Sequence, residues 1–222
     1  MKIIKPWVEI RKLDGVQIMK NLELAAKQCY RSQDNITDES YKKFLSGCIS
    51  RGHESVIEHE KVSIRMCCDV GCYKDLTRHR LASFSVESTR YCAYNKGKFG
   101  GEITFIEPCN IMKNTDEYKI WYNCMEDIEE AYLKMAKLNC YPDQQRMLLP
   151  HSTAAELYMT ADIREWRHIL GLRAAKYAHP SVQQVMIPLL RHFQKEMPEL
   201  FNDIEYNTEF DENKYADLRI ID

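Results

Sequence analysis

Arg78, His79 and Arg80 stand side by side, and Ser88 and Arg90 follow within the same short stretch, RHRLASFSVESTRY at 78–91. Arginine presents a rigid fork of donors that grips phosphate or carboxylate two bonds at a time and stays charged at any working pH. Three arginines, the hydroxyls of Ser83, Ser85, Ser88 and Thr89, and the backbone donors of a turn would together cradle an anionic nucleotide. The same composition also fits a surface strip whose arginines pair with Glu87 and other acids, since exposed ion pairs are common and weakly stabilising.

A second cluster, HESVIEH at 53–59, offers His53 and His59 with Glu54 and Glu58. Two histidines six apart do not reproduce the H-E-x-x-H spacing that puts both ligands on one helical face, so no metal is expected. His53 reads either as a helix C-terminal cap or as a contact to an aromatic cofactor. Glu156, Trp166 and Tyr177 read as core and surface residues. The chain holds nine cysteines, and the tightest group, Cys67, Cys68 and Cys72, has no second C-x-x-C to complete a tetrahedral site. Reduced, packed thiols are the expectation. Neither G-x-G-x-x-G nor a P-loop lysine motif is present, which leaves a Rossmann or Walker site unsupported.

The elements that must hold these groups follow from periodicity. Residues 2–10 alternate as an edge strand, Asp14-Gly15 signals a turn, and Val16, Met19, Leu22, Ala26 and Cys29 make a helical stripe. Tyr41, Phe44, Leu45, Cys48 and Ile49 form another, with Gly52 at the left-handed cap position, so His53 sits at a helix exit. Val62, Ile64 and Met66 alternate with polar residues as a half-buried strand, and Asp69 opens a helix running toward Arg78. GEITFIEP at 101–108 is a strand closed by Pro108, and residues 116–138 form a long amphipathic helix. ELYMT is a short strand, and Asp162 with Glu165 matches a capping box for IREWRHILGLRAAKYA. His168 and Arg173 lie about 140° apart around that helix, so they flank rather than share a face. A last helix carries Val182 to Phe193, with Pro188 expected to kink it.

The 222 residues carry a formal net charge of −2, with 45% hydrophobic and 29% charged residues. This is a soluble globular balance, and it argues against bulk nucleic acid as the main partner. No run approaches the ~20 apolar residues a membrane span needs, and the N-terminal stretch lacks a signal-peptide core, so a cytoplasmic location is expected. With no linker-like stretch, residues 1–222 read as one domain.

R-H-R, seven residues, S, one residue, R resembles the signature of the flavin-dependent thymidylate synthases, met here at Arg78-His79-Arg80, Ser88 and Arg90. GHESVIEH, QQRMLLP and DIREWRHILGLR resemble further segments of that family in the same order, over residues 50 to 195. Element order and resemblance together imply an α+β fold: a single domain with a mainly antiparallel sheet flanked by long helices, assembling as a homotetramer with sites at its interfaces. The resemblance implies FAD as cofactor, NADPH as reductant, methylenetetrahydrofolate as one-carbon donor and dUMP as substrate. It places the flavin against His53, Ser55, Arg78, His79, Arg80, Val86, Asp162, Ile163, Arg164 and His168. It places dUMP against Asp75, Arg78, Val86, Glu87, Ser88, Thr89, Arg90, Arg146 and Arg173. Arg173 is the catalytic candidate, because an arginine aimed at a uracil oxygen stabilises charge where it develops. Two positions depart from the family pattern: Val86 stands where many members have an acid, with Glu87 following it, and Asp75 stands where glutamine is frequent. A nucleic-acid-binding module and a catalytically inactive nucleotide-binding relative are the alternatives.

Overall fold

The computed structural model describes residues 1–91, 94 and 101–222. In chain order the elements are β1 (Lys2–Ile4), β2 (Trp7–Arg11), α1 (Gly15–Lys27), α2 (Ser40–Ser50), β3 (Lys61–Asp69), α3 (Val70–Leu76), β4 (Ser83–Val86), β5 (Thr104–Ile106), α4 (Asp116–Lys137), α5 (Pro142–Gln145), β6 (Ala154–Asp162), α6 (Ile163–Arg173), α7 (Pro180–Glu196), α8 (Pro198–Phe201) and β7 (Asp217–Ile221). Five strands form one sheet in the order β4-β6-β3-β2-β7, and β1 pairs with β5 in a separate ribbon. Within the larger sheet only the β2–β7 pair is parallel. The architecture is the mixed, mainly antiparallel sheet with helices that the sequence led us to expect.

The β3–β6 pair is the axis of the fold. Alternation sends Val62, Ile64, Met66 and Cys68 of β3, and Leu157, Met159 and Ala161 of β6, into the main core. Ser63 and Thr160, whose hydroxyls lie 2.7 Å apart, stay on the opposite face. The two strands run antiparallel from Lys61↔Asp162 to Asp69↔Ala154. A helix therefore leaves each strand at an opposite end of the pair. Asp69 caps α3 by accepting from Cys72 N at 2.7 Å, and Asp162 caps α6 by accepting from Glu165 N at 2.8 Å. Eight strand steps of about 3.4 Å separate the two starts by about 27 Å, and helices of 11 and 7 residues rising about 1.5 Å each cover about that distance. The arithmetic makes α3 and α6 meet C-terminus to C-terminus. Trp166, fully buried, ties the first turn of α6 down through its indole N–H to Val62 O at 2.9 Å.

Several expectations change in physical detail. Residues 2–10 are two strands broken at Pro6, and β2 is interior because β7 covers its other side; nothing in the C-terminal sequence had marked that strand. In the α1 stripe Met19, Leu22 and Ala26 are buried but Val16 and Cys29 are exposed, and Cys124 is likewise exposed on α4. The short ELYMT strand is nine residues long as β6. Only half of the expected capping box forms, since the Glu165 carboxylate turns toward His79 instead. Gly52 does take the left-handed conformation of a helix cap, with φ 69°. Pro188 lies inside a continuous α7, and the Gln184 carbonyl that a proline at that position leaves without its helical donor accepts instead from Ala216 N at 2.9 Å. No helix among the described residues is long and apolar enough to cross a membrane.

Candidate active site

The site forms where α3 and α6 meet. Arg173, in the last turn of α6, donates from Nη2 to the carbonyl of Asp75 at 2.8 Å, so a cation satisfies the exposed carbonyl end of α3. Its Nε donates to His79 Nε2 at 3.0 Å. The Asp75 carboxylate lies 4.0 Å from Nη1, close enough to balance charge but too far for a hydrogen bond. One edge of the guanidinium is thus held by protein, and a side chain that is 20% exposed keeps its remaining donors for a ligand.

His79 is 5% exposed, and its Nδ1 lies 3.3 Å from Glu165 Oε1. Its ring meets that of His168 edge-on with centroids 5.5 Å apart. Burial, then the charge of Arg173, then His168 push the imidazole down from 6.5 to about 4, with Asp75 opposing. The ring is neutral at pH 7. Because an arginine can only donate, Nε2 must be the bare nitrogen and Nδ1 carries the proton toward Glu165. Burial raises the Glu165 carboxyl, while His168 lowers it.

These shifts predict an acid-sensitive fold. Unfolded His79 takes up a proton near pH 6.5 but the folded ring resists until about 4, so proton uptake in that window favours unfolding. The contribution is intact above pH 6.5 and falls away as pH drops toward 4. It amounts to about 3 kcal/mol at most. Glu165 acts in the opposite sense, stabilising below its unfolded value of 4.5 and losing that contribution as pH rises through its raised folded value, so it offsets part of the fall. Urea midpoints should fall between about pH 7 and about pH 5; a flat profile contradicts a neutral buried His79.

Beside this cluster opens a cavity of about 720 Å³ lined by Glu54, Glu58, Leu81, Arg164, Arg167 and His168, among others. That is within the usual size range of a cofactor site. Arg164 pairs with Glu58 at 2.6 Å and approaches Glu54 at 3.6 Å, and Arg167 grips Asp203 through two bonds of 2.7 Å. Of the residues the sequence assigned to a flavin, Asp162, Arg164 and His168 line this cavity. His79 does not present a free ring nitrogen to it. Ile163 is fully buried, with its N–H spent on Glu60 O, and His53 and Ser55 are exposed on the turn that delivers Glu54 and Glu58. Glu54, Glu58, Leu81 and Arg167 went unassigned from sequence. The H-E-x-x-x-E-H spacing held a signal for the two glutamates, both of which Arg164 approaches.

The dUMP strip is laid out differently. Val86 ends β4 opposite Leu157, and Glu87 continues the pairing through N–H to Glu156 O at 2.8 Å. Ser88, Thr89 and Arg90 then turn away from the sheet, with the Arg90 guanidinium 5.5 Å above the Tyr91 ring. Arg78, Arg80, Arg90 and Arg146 are exposed, and among the described residues none of them forms an ion pair. This disfavours the reading of 78–90 as a paired surface strip. No hydrogen bond, ion pair or ring contact among the described residues joins Arg90 or Arg146 to Arg173. Direct contacts join Asp75, His79, His168 and Arg173, with His168 also lining the Arg164 cavity, and the 88–90 turn and Arg146 take no part in those contacts.

His79, Glu165 and His168 also bring their ligating atoms within 4.8 Å of one another. Arg173 stands 3.0 Å from His79 Nε2, and its charge repels a second cation there. Three thiols are held away from the nucleophilic thiolate form: burial pushes Cys67 to about 12 and Cys109 to about 11, and Cys68 is raised well above its ordinary value by its hydrogen bond with Cys72 and by burial. Cys92 lies outside the described residues.

Sheet, paired helices and a polar cleft that sets Arg164, Arg167 and His168 among acidic side chains define a mixed α/β protein with neither a Rossmann nor a Walker loop. Residues 16–199 match the family described as thymidylate synthase complementing protein. The flavin-dependent thymidylate synthase of Pyrococcus abyssi is 30% identical over 166 residues, which are 74% of this chain and 67% of that protein. Two solved structures share the fold. One is a UMP/dUMP methylase, PolB, from Streptomyces cacaoi bound with 5-Br dUMP, with a TM-score of 0.73 at 19% identity over 91% of this chain and 96% of that one. The other is the flavin-dependent thymidylate synthase of Helicobacter pylori complexed with FAD and dUMP, with a TM-score of 0.70 at 20% identity over 89% and 99%. The chain belongs to the flavin-dependent thymidylate synthase family. Nothing in these relationships supports a nucleic-acid-binding module.

Proposed function

We propose that this protein converts dUMP to dTMP by reductive methylation, taking the one-carbon unit from methylenetetrahydrofolate and reducing power from NADPH through bound FAD. The observation that carries this reading is Arg173, anchored on one edge by His79 Nε2 and Asp75 O and open on the other. Uracil C5 is a poor nucleophile until negative charge gathers on the ring oxygens, and a fixed guanidinium stabilises that charge without reorganising. The Asp75 carboxylate, a departure from the frequent glutamine, is tolerable because Arg173 lies beside it.

The 720 Å³ cavity fits a flavin by its donor set. Arg164 and His168 present a guanidinium and an imidazole edge there, suited to phosphate and to ring heteroatoms, while Leu81 and Ile204 supply apolar walls. When bound, the flavin supplies the hydride. Arg164 must share its donors between Glu58 and a phosphate, and Arg167 is held by Asp203 as a fixed wall. His53, Ser55, Arg78 and Arg80 are exposed, and His53 and Ser55 flank Glu54 while Arg80 precedes Leu81, both lining residues of that cavity. Val86, in place of an acid, leaves only backbone to offer at that step.

The 88–90 turn and Arg146 are assigned to the dUMP phosphate and sugar. The family resemblance supports a site completed by a second copy, in a cytoplasmic homotetramer formed from single-domain protomers. Arg90→Ala is expected to raise the dUMP KM by about 10- to 100-fold, the value of one charged hydrogen-bonding partner. Unaltered dUMP binding by calorimetry contradicts that role. The purified protein should be yellow with a bound-flavin spectrum; a colourless protein that also rejects added FAD contradicts the whole reading.

A further inference from the structure

We propose that Glu165 is a positioning residue that aims Arg173 through His79, by fixing which ring nitrogen of the buried imidazole carries the proton. The inference rests on reading Arg173 as the group that faces the pyrimidine.

The geometry is a three-member chain. Glu165 Oε1 lies 3.3 Å from His79 Nδ1, and His79 Nε2 accepts from Arg173 Nε at 3.0 Å. Glu165 and His79 are 6% and 5% exposed, so water does not substitute for either contact. With the proton on Nδ1, both contacts are donor to acceptor. Moving it to Nε2 sets two N–H groups against each other at Arg173 and turns a lone pair toward the carboxylate, so both contacts become repulsive at once. Arg173 then keeps a single anchor, the Asp75 carbonyl, and its guanidinium can swing about that bond.

Among the described residues the 3.3 Å approach of His79 Nδ1 is the one close polar contact of the Glu165 carboxylate, and its backbone N–H is used at the cap of α6. A buried carboxylate is costly without a partner. A purely structural role would be served as well by leucine at this position. The other polar groups facing His79 do not compete for Nδ1: His168 meets the ring edge-on and Asp75 lies on the arginine side.

The test uses the flavin-loaded protein labelled with 15N-histidine, with the His79 signal assigned by its loss in His79→Gln. The wild type should show a protonated Nδ1. Glu165→Gln keeps an acceptor for Nδ1–H, and should preserve that signature with kcat/KM for dUMP within about fivefold of wild type, the difference between a charged and a neutral acceptor. Glu165→Leu should shift the proton toward Nε2 and lower kcat/KM by about a hundredfold at normal flavin content, as expected when a positioned group is displaced by about 1 Å. A wild-type ring protonated on Nε2 overturns the proposal, as does Glu165→Leu with unchanged kinetics, or Glu165→Gln failing as far as Glu165→Leu. Should the leucine variant not fold, the wild-type and glutamine spectra decide alone. An inactive wild type with Nδ1 protonated supports the chain while removing the functional reading, and an active one with Nε2 protonated removes only the chain.

Discussion

Arg173→Ala is expected to lower dTMP formation by about 10²- to 10³-fold while the protein keeps its flavin. The split follows from where the side chain sits. Its Nε and Nη2 are spent on His79 and on the end of α3, and it does not line the Arg164 cavity. Removing it deletes a donor that acts on the pyrimidine as charge develops, and leaves Arg164 and His168 in place for the cofactor. Turnover and flavin absorbance measured on the same preparation check this. Loss of flavin in step with activity would reassign Arg173 to the cofactor.

Trp166→Ala should cost about 3–5 kcal/mol of stability, the range for truncating a large buried aromatic. Against a total of about 5–15 kcal/mol for a typical domain, that is a large fraction. Trp166 packs edge-on against Phe193 with centroids 5.7 Å apart, and its indole N–H holds Val62 O. Alanine would leave a cavity and remove the indole bond that ties α6 to β3. The loss also reaches the site, because this contact pins the start of the helix whose end carries Arg173. Trp166→Phe keeps most of the ring packing and should lose about 1 kcal/mol, the net value of one hydrogen bond. Urea unfolding of the three proteins checks the order; an alanine variant as stable as wild type would show that α6 does not depend on this anchor.

Local rules made much of this fold legible. Asp69 and Asp162 announce helix starts because a carboxylate can take a first-turn N–H wherever it occurs, and Gly52 announces a helix end because only glycine enters the left-handed region at no cost. The alternation in β3 is equally local. Pairing of β7 with β2 is not, since it joins residues at opposite ends of the chain and leaves no periodic mark on a five-residue strand. In the site, the arginines and hydroxyls of 78–90 stood out by type and spacing. The depth of His79 did not, because its burial depends on where α6 ends. Glu165 was misjudged for a similar reason: its spacing from Asp162 satisfies a capping box on paper, but its carboxylate finds a better partner in a histidine brought in from the end of α3.

The most direct test is an anaerobic assay of dTMP formation from dUMP with FAD, NADPH and methylenetetrahydrofolate, omitting each component in turn. Activity that requires all of them is the predicted result. Product formed without flavin or reductant, or none formed by a flavin-loaded protein in the complete mixture, would contradict the account.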